Sequence, residues 1–371
     1  MRVLHILSKL NKGGAESRNI DMQKKMYEKG VYYDYLLMSD GPHFYTETAE
    51  KLGSRFYTIP HPSAKNLIQY IIKVSKIIKD NNYDVVHSHL STFSAVTMIA
   101  AKLGGAKVRI AHSRSGPLES TVAKWPLHRR LALVVYRWLL AIFASVRISC
   151  STDGAIYLFG KRAVEKGKIH YIHNAIEIEK YNQLPTDEVR RKYGVSPEQT
   201  VIIHVGNLLP VKNQSFLIDI YNEYVKLNPN SKLLIAGAGG EQDALQTKID
   251  KFNLQDKAVL LGRCDNVPEL LSIGSMFIMT SIQEGVPGAA MEAIAAGLPC
   301  FLSDSITKDI AFGDEFVRYF SIFDDPTNVA KFIYETQDSM SKDKSLYIKA
   351  LKDNKYDVKD AVEDLYNIYI Q

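Results

Sequence analysis

The chain has 371 residues, of which 46% are hydrophobic and 23% charged, and its net charge is +5. This length exceeds what one hydrophobic core of ordinary size covers, and it predicts two domains. The charge is too small to indicate a nucleic-acid-binding protein, and three widely spaced cysteines without a CxxC pair favour a reducing cytoplasm over a disulfide framework or a structural zinc site.

Short apolar runs alternate with helical patterns through the first half of the chain. We predict strands at residues 3–7, 33–38, 55–59, 85–88, 107–111, 146–150 and 169–172. A helix is predicted over 67–80, where apolar residues recur at intervals of three and four. This alternation is typical of a parallel β-sheet covered by helices on both faces.

The most apolar stretch, residues 131–146, is too short for a membrane-spanning helix and contains Arg137 near its middle. The basic segment KWPLHRR precedes it. Two interpretations are open and compatible with one another. The stretch forms a helix that packs on its own sheet, or residues 124–146 lie on the anionic inner face of the cell membrane, with Trp125 and Trp138 at the lipid interface.

A second series of strands begins after the polar stretch 176–199. We predict strands at 200–205, 232–235, 259–261, 276–279 and 299–302. The pattern indicates two doubly wound sheets in series, with residues 1–175 as the amino-terminal domain and 176–353 as the carboxyl-terminal domain. The helix predicted over 358–369 would suit either domain, and we assign residues 354–371 to the amino-terminal one.

Each half contains a strand that leads through a glycine-containing loop into a helix, VLHILSKLNKGGAES early on and VIIHVGNLLPVKNQS later. Glycine lets the backbone approach a ligand closely, and the N–H groups at the start of a helix bind anions. Open α/β sheets bind ligands beyond the carboxyl ends of their strands. We therefore expect a phosphate-bearing ligand in a cleft between the two sheets.

The segment EGVPGAAMEAIAAGLP, residues 284–299, carries the strongest functional signal. It begins just past a predicted strand, and its small residues predict a helix over 288–296 that ends at a glycine. The groups expected to bind a nucleotide-sugar donor are Glu284 for ligand hydroxyls, the N–H groups of Gly288 and Ala289 for a diphosphate, and Glu292 for a ribose.

With this segment the chain resembles glycosyltransferase family 4, the retaining enzymes of the GT-B fold, because the segment is similar to that family's EX7E signature. Further similar segments follow in the family's order. They are GGAE at 13–16, DVVHSHLSTFSA at 84–95, VRIAHSRS at 108–115, HNAIEI at 173–178 and LLGRCDNVPELL at 260–271. The resemblance covers nearly the full chain and implies two Rossmann-like domains that face each other across a cleft.

The resemblance also implies an activity. We expect transfer of a hexose or acetamidohexose, with retention, from a nucleotide-diphosphate sugar (a UDP-sugar above all) to a growing, lipid-linked glycan in exopolysaccharide or capsule assembly. The implied contacts are Lys212 with the diphosphate, Glu284 with the transferred sugar, His112 near the reacting face of that sugar, Glu292 with the ribose, Arg263 beside the base, and Gly13 and Gly14 under the diphosphate.

One position departs from the family pattern. The family commonly has an arginine in a GRLxxxKN sequence, whereas this chain has GNLLPVKN with Asn207 at that place. Asn207 can contact the donor through a hydrogen bond but carries no positive charge. Either Arg114 or Arg263 supplies the charge, or activation of the diphosphate is weaker. A non-catalytic sugar-nucleotide-binding subunit is therefore one alternative, and a sugar-nucleotide epimerase of the same architecture is another.

Three other patterns indicate different functions less specifically. AGAGGEQ at 236–242 lacks the third glycine of a dinucleotide fingerprint, which disfavours a dehydrogenase. His87 and His89 share one face of a strand end but have no evident third metal ligand. The pair Asp324–Asp325 fits a helix cap better than a metal site. We therefore expect no metal and no other cofactor.

Overall fold

The computed structural model describes residues 1–11, 14–41, 43–63, 65–114, 116–117 and 119–371. The chain forms two compact units. Met1–Ala175 and Lys355–Gln371 make up the amino-terminal unit, and Ile176–Asn354 make up the carboxyl-terminal unit. The chain thus enters the second unit once and returns to the first for its last residues.

The strands are β1 Arg2–Leu7, β2 Tyr32–Leu37, β3 Phe56–Thr58, β4 Val85–Ser88, β5 Val108–Ser113, β6 Val146–Ser149, β7 His170–Tyr171, β8 Thr200–Val205, β9 Ser231–Ala236, β10 Ala258–Gly262, β11 Met276–Met279, β12 Cys300–Ser303 and β13 Val317–Phe320. The helices are α1 Gly14–Glu28, α2 Thr46–Lys51, α3 Leu67–Asp80, α4 Ser94–Leu103, α5 Glu119–Ala123, α6 Leu127–Phe143, α7 Thr152–Phe159, α8 Lys161–Glu165, α9 Asp187–Lys192, α10 Gln214–Leu227, α11 Gln242–Lys251, α12 Val267–Ser272, α13 Gly288–Ala296, α14 Pro326–Thr336, α15 Lys344–Asp353 and α16 Val358–Tyr369.

The amino-terminal unit is built on a seven-stranded parallel sheet in the order β3-β2-β1-β4-β5-β6-β7. Nearly every residue of the central strands β1 and β4 is buried, including the polar His5, His87 and Ser88. One face of the sheet packs against α1 and α16, and the other packs against α3, α4 and α6. The strand order reverses between β1 and β4, so this pair marks the topological switch point of the sheet.

The carboxyl-terminal unit has a six-stranded parallel sheet in the order β10-β9-β8-β11-β12-β13. Helices α10, α11 and α14 share one hydrophobic core with this sheet, and α13 contacts α12 and α15. Here the strand order reverses between β8 and β11. Both units therefore have the doubly wound topology in which loops diverge at one point of the carboxyl edge.

These two sheets confirm the predicted α/β class. Strands β4, β8 and β11 and helices α3, α13 and α16 have the predicted bounds. Asp325 caps α14 by accepting a hydrogen bond from the N–H of Thr327 at 2.8 Å, as its interpretation as a cap requires. Strand β13 was not predicted. Its four residues, VRYF, lie at the sheet edge and leave Arg318 and Tyr319 half-buried, so they show no apolar run.

Helix α16 joins the core of the amino-terminal unit. It contacts α1, and its apolar stripe is buried. Asp357 caps the helix by accepting a hydrogen bond from the N–H of Lys359 at 3.0 Å. The end of the chain is therefore an integral part of the first unit's packing, and its last turn places Tyr369 beneath the sheet, 2% exposed.

We expect Leu365→Ala to lower the free energy of unfolding of the amino-terminal unit by about 2–5 kcal/mol, because it removes a buried side chain from the α16 contact. Asn367→Ala on the exposed face of the same helix is the matched control and should change it by less than about 0.5 kcal/mol. Urea unfolding of both variants measures the difference. Equal stability of the two variants would contradict the packing of α16.

Candidate functional site

The candidate site lies where the strand order of the second sheet reverses between β8 and β11. Doubly wound sheets open a ligand-binding crevice at this point. The loop after β8 forms a short 3₁₀ turn at Pro210–Lys212 and enters α10 through Asn213, whose φ of 52° is left-handed. The hydroxyl of Thr280, just past β11, donates to the main-chain oxygens of Lys212 and Asn213, at 3.3 and 2.8 Å. The lysine-bearing loop is thus fastened to the neighbouring strand.

Lys212 and Glu284 form an ion pair at this reversal point. The two side chains are 19% and 21% exposed, so water weakens the attraction less than at an open surface. The N–H of Ile282 donates to the oxygen of Val211 at 2.8 Å and holds the two loops together. Because the ammonium group of Lys212 is already paired with a carboxylate, an anionic ligand would compete with Glu284 for it.

Helix α13 begins just beyond Glu284. Pro287 occupies the N-cap position and supplies no side-chain cap, so the first backbone N–H groups, including those of Gly288 and Ala289, have no partner from a capping side chain. Both residues are half-buried, and their small size leaves the amides approachable. Glu292 lies one turn further along and is also half-buried. The start of α13 is therefore suited to bind an anion beside the ion pair.

Gly237 and Gly239 are required by close main-chain packing at the end of β9. A Cβ atom on Gly237 would lie 1.9 Å from the oxygen of Gly206, and one on Gly239 would lie 2.2 Å from the oxygen of Leu208. The N–H of Leu208 donates to the oxygen of Ala238 at 3.1 Å. These glycines thus support the lysine-bearing loop through main-chain packing.

A buried hydrogen-bond chain also holds this loop. The Nδ1 atom of His204 lies 2.9 Å from the oxygen of Ile278 and donates to it, so its Nε2 is the acceptor for the side-chain amide of Gln214 at 3.3 Å. The same amide donates to the main-chain oxygen of Asn207 at 3.0 Å. Burial lowers the pKa of His204 to about 4, which keeps the imidazole neutral in this role.

The other predicted donor-binding residues have looser surroundings. The side chains of Asn207 and Arg263 are exposed, on the loops after β8 and β10. Gly14 begins α1, and Gly13 lies outside the described residues. Two residues of the predicted donor site, Lys212 and Glu284, are in contact with each other. The start of α13 follows Glu284 by a few residues.

His112 belongs to a cluster in the amino-terminal unit that the sequence did not predict. Eight side chains form a closed circuit of hydrogen-bond contacts, which we call the histidine circuit. In order, the contacts are Arg114 Nε to His89 Nδ1 (3.2 Å), His89 Nε2 to His5 Nδ1 (3.2 Å), His5 Nε2 to Tyr369 Oη (3.3 Å), Tyr369 Oη to His87 Nδ1 (2.8 Å), His87 Nε2 to His112 Nδ1 (3.0 Å), His112 Nε2 to Cys150 Sγ (3.2 Å), Cys150 Sγ to Asn174 Oδ1 (3.1 Å) and Asn174 Oδ1 to Arg114 Nη1 (3.1 Å).

The sequence shows no evident third metal ligand for His87 and His89, but the structure places His5 beside them. His5, on the neighbouring strand β1, brings a nitrogen into a group of three whose atoms lie within 4.8 Å of one another. Sequence spacing did not reveal this because His5 belongs to β1, whereas His87 and His89 lie at the end of β4. Every nitrogen of the four histidines already has a partner in the circuit, so a metal ion would have to replace those hydrogen bonds.

The four histidines of the circuit are neutral. Burial lowers the pKa of His5, His87, His89 and His112 well below the ordinary value, and repulsion from the positive charge of Arg114 adds to this. Neighbouring histidines contribute as well. The side chain of His112 is 3% exposed, with its nitrogens turned to other members of the circuit. Its contact with a donor sugar stays a prediction.

Two family models match successive parts of the chain. One described as "Glycosyltransferase Family 4" matches residues 12–180, and one described as "Glycosyl transferases group 1" matches residues 185–355. EpsF of Bacillus subtilis (strain 168), described as a glycosyltransferase, is 30% identical to this chain over 99% of its length and 96% of the relative's length.

A second relative and one solved structure are also similar to this chain. The UDP-Gal:alpha-D-GlcNAc-diphosphoundecaprenol alpha-1,3-galactosyltransferase of Escherichia coli is 29% identical over 66% of this chain and 64% of its own length. Among solved structures, Anabaena Alr3699/HepE in complex with UDP gives a TM-score of 0.79 at 20% identity and covers 99% of both chains. At that identity the structural match shows a shared fold.

We expect the amino-terminal unit to lose stability as the pH falls from about 6.5 to 5. A histidine in the unfolded chain has a pKa of about 6.5, whereas the four circuit histidines have lower pKa values when folded. Unfolding therefore takes up protons in this window, and each histidine contributes up to about 1.4 kcal/mol per pH unit. Thermal unfolding across this range measures the slope.

The exposed His170 provides the control for this pH dependence, because His170→Gln should leave the slope unchanged. Stability that stays flat between pH 6.5 and 5 would show that the circuit histidines titrate as they do in the unfolded chain.

Proposed function

This chain belongs to glycosyltransferase family 4, and on that basis we propose that it is a retaining enzyme that transfers a sugar from a UDP-sugar to a growing, lipid-linked glycan in bacterial polysaccharide synthesis. EpsF supports the assignment over nearly the full chain. The galactosyltransferase of Escherichia coli supports a UDP-sugar and a diphosphoundecaprenol-linked acceptor by its name. The capsular polysaccharide glycosyltransferase CapH of Staphylococcus aureus supports the polysaccharide context.

The observation that carries this proposal is the Lys212–Glu284 pair beside the uncapped start of α13. When the bond between the anomeric carbon and the diphosphate breaks, negative charge grows on the leaving phosphate. Lys212 and the N–H groups at Gly288 and Ala289 are the groups placed to stabilise that charge. The acceptor hydroxyl forms the new bond to the anomeric carbon, and its proton passes to the released diphosphate. Residues of this chain thereby supply the charge stabilisation without a metal ion.

The two members of the pair have separable roles under this proposal. A bound diphosphate attracts Lys212 away from Glu284, which frees the carboxylate to accept hydrogen bonds from the hydroxyls of the transferred sugar. Glu292, one turn into α13, is placed for the ribose. The ion pair thus holds both side chains in position until the donor divides them between its diphosphate and its sugar.

Asn207 favours a second candidate, a subunit that binds a sugar nucleotide without transferring the sugar. Its exposed side chain supplies a hydrogen bond where the family commonly has a cation. Binding of UDP without any turnover of the UDP-sugar, with or without acceptor, would support this candidate. Isomerisation of the donor in the absence of an acceptor would instead indicate an epimerase.

We expect Lys212→Met to weaken UDP binding about 10-fold to 100-fold, because it removes a charge-assisted hydrogen bond to the diphosphate, and to lower transfer by about 100-fold or more. Glu284→Gln should lower transfer by a similar factor while UDP binds as tightly as to the wild type or more tightly, since Lys212 is released from its partner. Calorimetry measures binding, and radiolabelled sugar measures transfer.

Lys248→Met is the matched control for this pair of variants. Lys248 forms an ion pair with Asp219 at 2.6 Å in the same unit, with side chains 23% and 29% exposed, but away from the reversal point. Its loss should leave UDP binding and transfer within about 3-fold of the wild type. Unchanged transfer in Lys212→Met or Glu284→Gln would show that the site is assigned to the wrong residues.

Helix α6 supports peripheral contact with an anionic membrane. Its exposed apolar residues follow one face and include Leu127, Leu131, Val134, Val135, Trp138 and Ile142. Leu133 and Leu140 on the opposite face are buried. Lys124, just before the helix, and Arg129 and Arg130, in its first turn, are exposed. Among the described helices, none combines the length and hydropathy needed to cross a bilayer.

Arg137 does not oppose this orientation, because the protein already satisfies its guanidinium. It donates to the main-chain oxygens of Ile156 and Tyr157 at 2.9 to 3.1 Å. The apolar face of α6 is therefore free of its charge. A cytoplasmic protein bound to the inner face of the cell membrane through this helix would meet a lipid-linked acceptor there.

We expect the full chain to sediment with vesicles that contain phosphatidylglycerol and to stay in solution with pure phosphatidylcholine, because basic and apolar groups act together at such a surface. Replacing Leu131 and Trp138 with Asp should reduce sedimentation at least about 10-fold. Leu103→Asp, at an exposed apolar residue of α4 in the same unit, is the control and should bind as the wild type does. Equal binding of both variants would rule out α6 as the contact.

A further inference from the structure

The contacts of the histidine circuit determine the sense, from donor to acceptor, in which its hydrogen bonds run around the ring. Six of its eight members, the four histidines, Tyr369 and Cys150, reach their circuit partners through atoms whose donor or acceptor role depends on a tautomer, a rotor or a neighbour, and Asn174 Oδ1 only accepts. Arg114 differs, because a guanidinium carries N–H groups only and never accepts a hydrogen bond. Its Nε donates to His89 Nδ1 at 3.2 Å, and its Nη1 donates to Asn174 Oδ1 at 3.1 Å. Arg114 therefore sets the direction at both ends of the circuit.

The direction then passes from each member to the next. His89 accepts at Nδ1, so as a neutral imidazole it carries its hydrogen on Nε2 and donates to His5 Nδ1. His5 in turn donates from Nε2 to the oxygen of Tyr369, and the hydroxyl of Tyr369 donates to His87 Nδ1. The first two of these contacts follow from neutrality alone, and the third follows because the single hydrogen of the Tyr369 hydroxyl has His87 Nδ1 as its acceptor at 2.8 Å.

The remaining contacts complete the path back to Arg114. His87 donates from Nε2 to His112 Nδ1, and His112 donates from Nε2 to the thiol of Cys150. The thiol donates to Asn174 Oδ1, which also accepts from Arg114. Each donor therefore meets an acceptor, and all four histidines are the same Nε2–H tautomer.

The reverse direction is excluded by one residue. It would place the hydrogen of every histidine on Nδ1, and His89 Nδ1–H would then point at Arg114 Nε–H. Two donors would face each other at hydrogen-bond distance in a half-buried site. The oxygen of Asn174 favours the same direction, because it accepts the thiol hydrogen of Cys150, and it is itself held in place by the N–H of Arg114 Nη1. Arg114 therefore selects between the two tautomeric states from both ends of the circuit.

Arg114 carries the positive charge of the circuit. The titratable groups that face the histidines are Arg114, Cys150, Tyr369 and, from β2, Tyr33 and Tyr35, whose rings lie 3.9 and 5.9 Å from that of His5. Burial raises the pKa of the Cys150 thiol to about 11, so the thiol stays protonated. In the part of the chain that the structure describes, Arg114 has no carboxylate in an ion pair with it.

We propose that Arg114 is a positioning residue of the transferase, which imposes a single hydrogen-bond direction on the histidine circuit and thereby fixes His5, His87, His89 and His112 as neutral Nε2–H tautomers. The circuit lies at the switch point between β1 and β4, on the carboxyl edge where such sheets bind ligands. The tautomer assignment stands on this unit alone, and its effect on sugar transfer rests on the proposed function.

For the reaction, the consequence is that the circuit holds the carboxyl edge of the first sheet in one arrangement. The circuit joins residues of β1, β4 and β5, the residues after β6 and β7, and the last turn of α16. A protonated histidine donates from both nitrogens and accepts from neither, so a single protonation breaks the circuit at its Nδ1 contact. Arg114 opposes protonation through its charge and opposes reversal through its N–H groups.

The direct test is nuclear magnetic resonance of the full chain labelled with ¹⁵N at histidine, compared with Arg114→Lys and Arg114→Met. The wild type should show four Nε2–H histidines that do not titrate between pH 8 and 5.5, and Arg114→Lys, which keeps a charged donor, should match it. In Arg114→Met the same four should show both tautomers and begin to titrate. A Nδ1–H tautomer at any of the four in the wild type, or an unchanged Arg114→Met spectrum, overturns the proposal.

The link to catalysis is tested through the pH profile of kcat/KM for sugar transfer. Arg114→Met should move the acid limb up by roughly one pH unit, since the loss of the positive charge and of the fixed direction makes the histidines easier to protonate. The loss of rate in Arg114→Met should therefore be larger at pH 6 than at pH 8, and Arg114→Lys should follow the wild-type profile. A uniform loss of rate at every pH in Arg114→Met would mark the arginine as merely structural and overturn its role in positioning.

Two further outcomes separate this inference from the proposed function. A wild-type chain that transfers no sugar from any UDP-sugar fails the proposed function, while the histidine spectrum still decides the tautomers. Stoichiometric binding of added Zn²⁺ that shifts the resonances of His5, His87 and His89 overturns the circuit, because a metal ligand must give up the nitrogen that the circuit uses.

Discussion

The parallel arrangement of the strands is the constraint from which both clusters of polar residues follow. In each sheet every strand ends at the same edge, and the order of connections reverses at one place, between β1 and β4 in the first sheet and between β8 and β11 in the second. Loops diverge at such a place and leave a crevice in which side chains can meet a ligand. The Lys212–Glu284 pair occupies one reversal point and His5 with His87 the other.

The polar side chains at the two reversal points are stabilised in different ways. In the carboxyl-terminal unit a lysine and a glutamate neutralise each other while each keeps about a fifth of its side chain exposed, so a charged ligand can divide them. In the amino-terminal unit buried imidazoles are neutral and hydrogen-bonded to one another, and the positive charge is carried by Arg114 at the half-buried side. The first arrangement is suited to exchange partners with a ligand, and the second is suited to hold a strand edge in place.

Supporting contacts hold the lysine-bearing loop, whose regular structure is limited to the short 3₁₀ turn at Pro210–Lys212. Gly237 and Gly239 allow the main chain of the neighbouring loop to approach more closely than any side chain would permit. Thr280 and the His204–Gln214 chain then fix the loop from the sides. All of these contacts are made by neutral groups. Lys212 therefore supplies the positive charge at the reversal point, and the exposed side chain of Asn207 adds no charge.

The sequence alone determined the α/β class, most element positions and the motif around α13, because apolar periodicity, glycine, proline and the EX7E spacing are local properties of the chain. Helices α3, α13 and α16 follow their local patterns residue by residue. The sequence did not reveal β13, whose four residues at a sheet edge show no periodicity, or the place of His5 beside His87 and His89. That cluster joins residues separated by up to 364 positions, from His5 to Tyr369. Only tertiary structure decides such contacts, because strand order and the return of α16 bring together side chains whose spacing along the chain carries no signal.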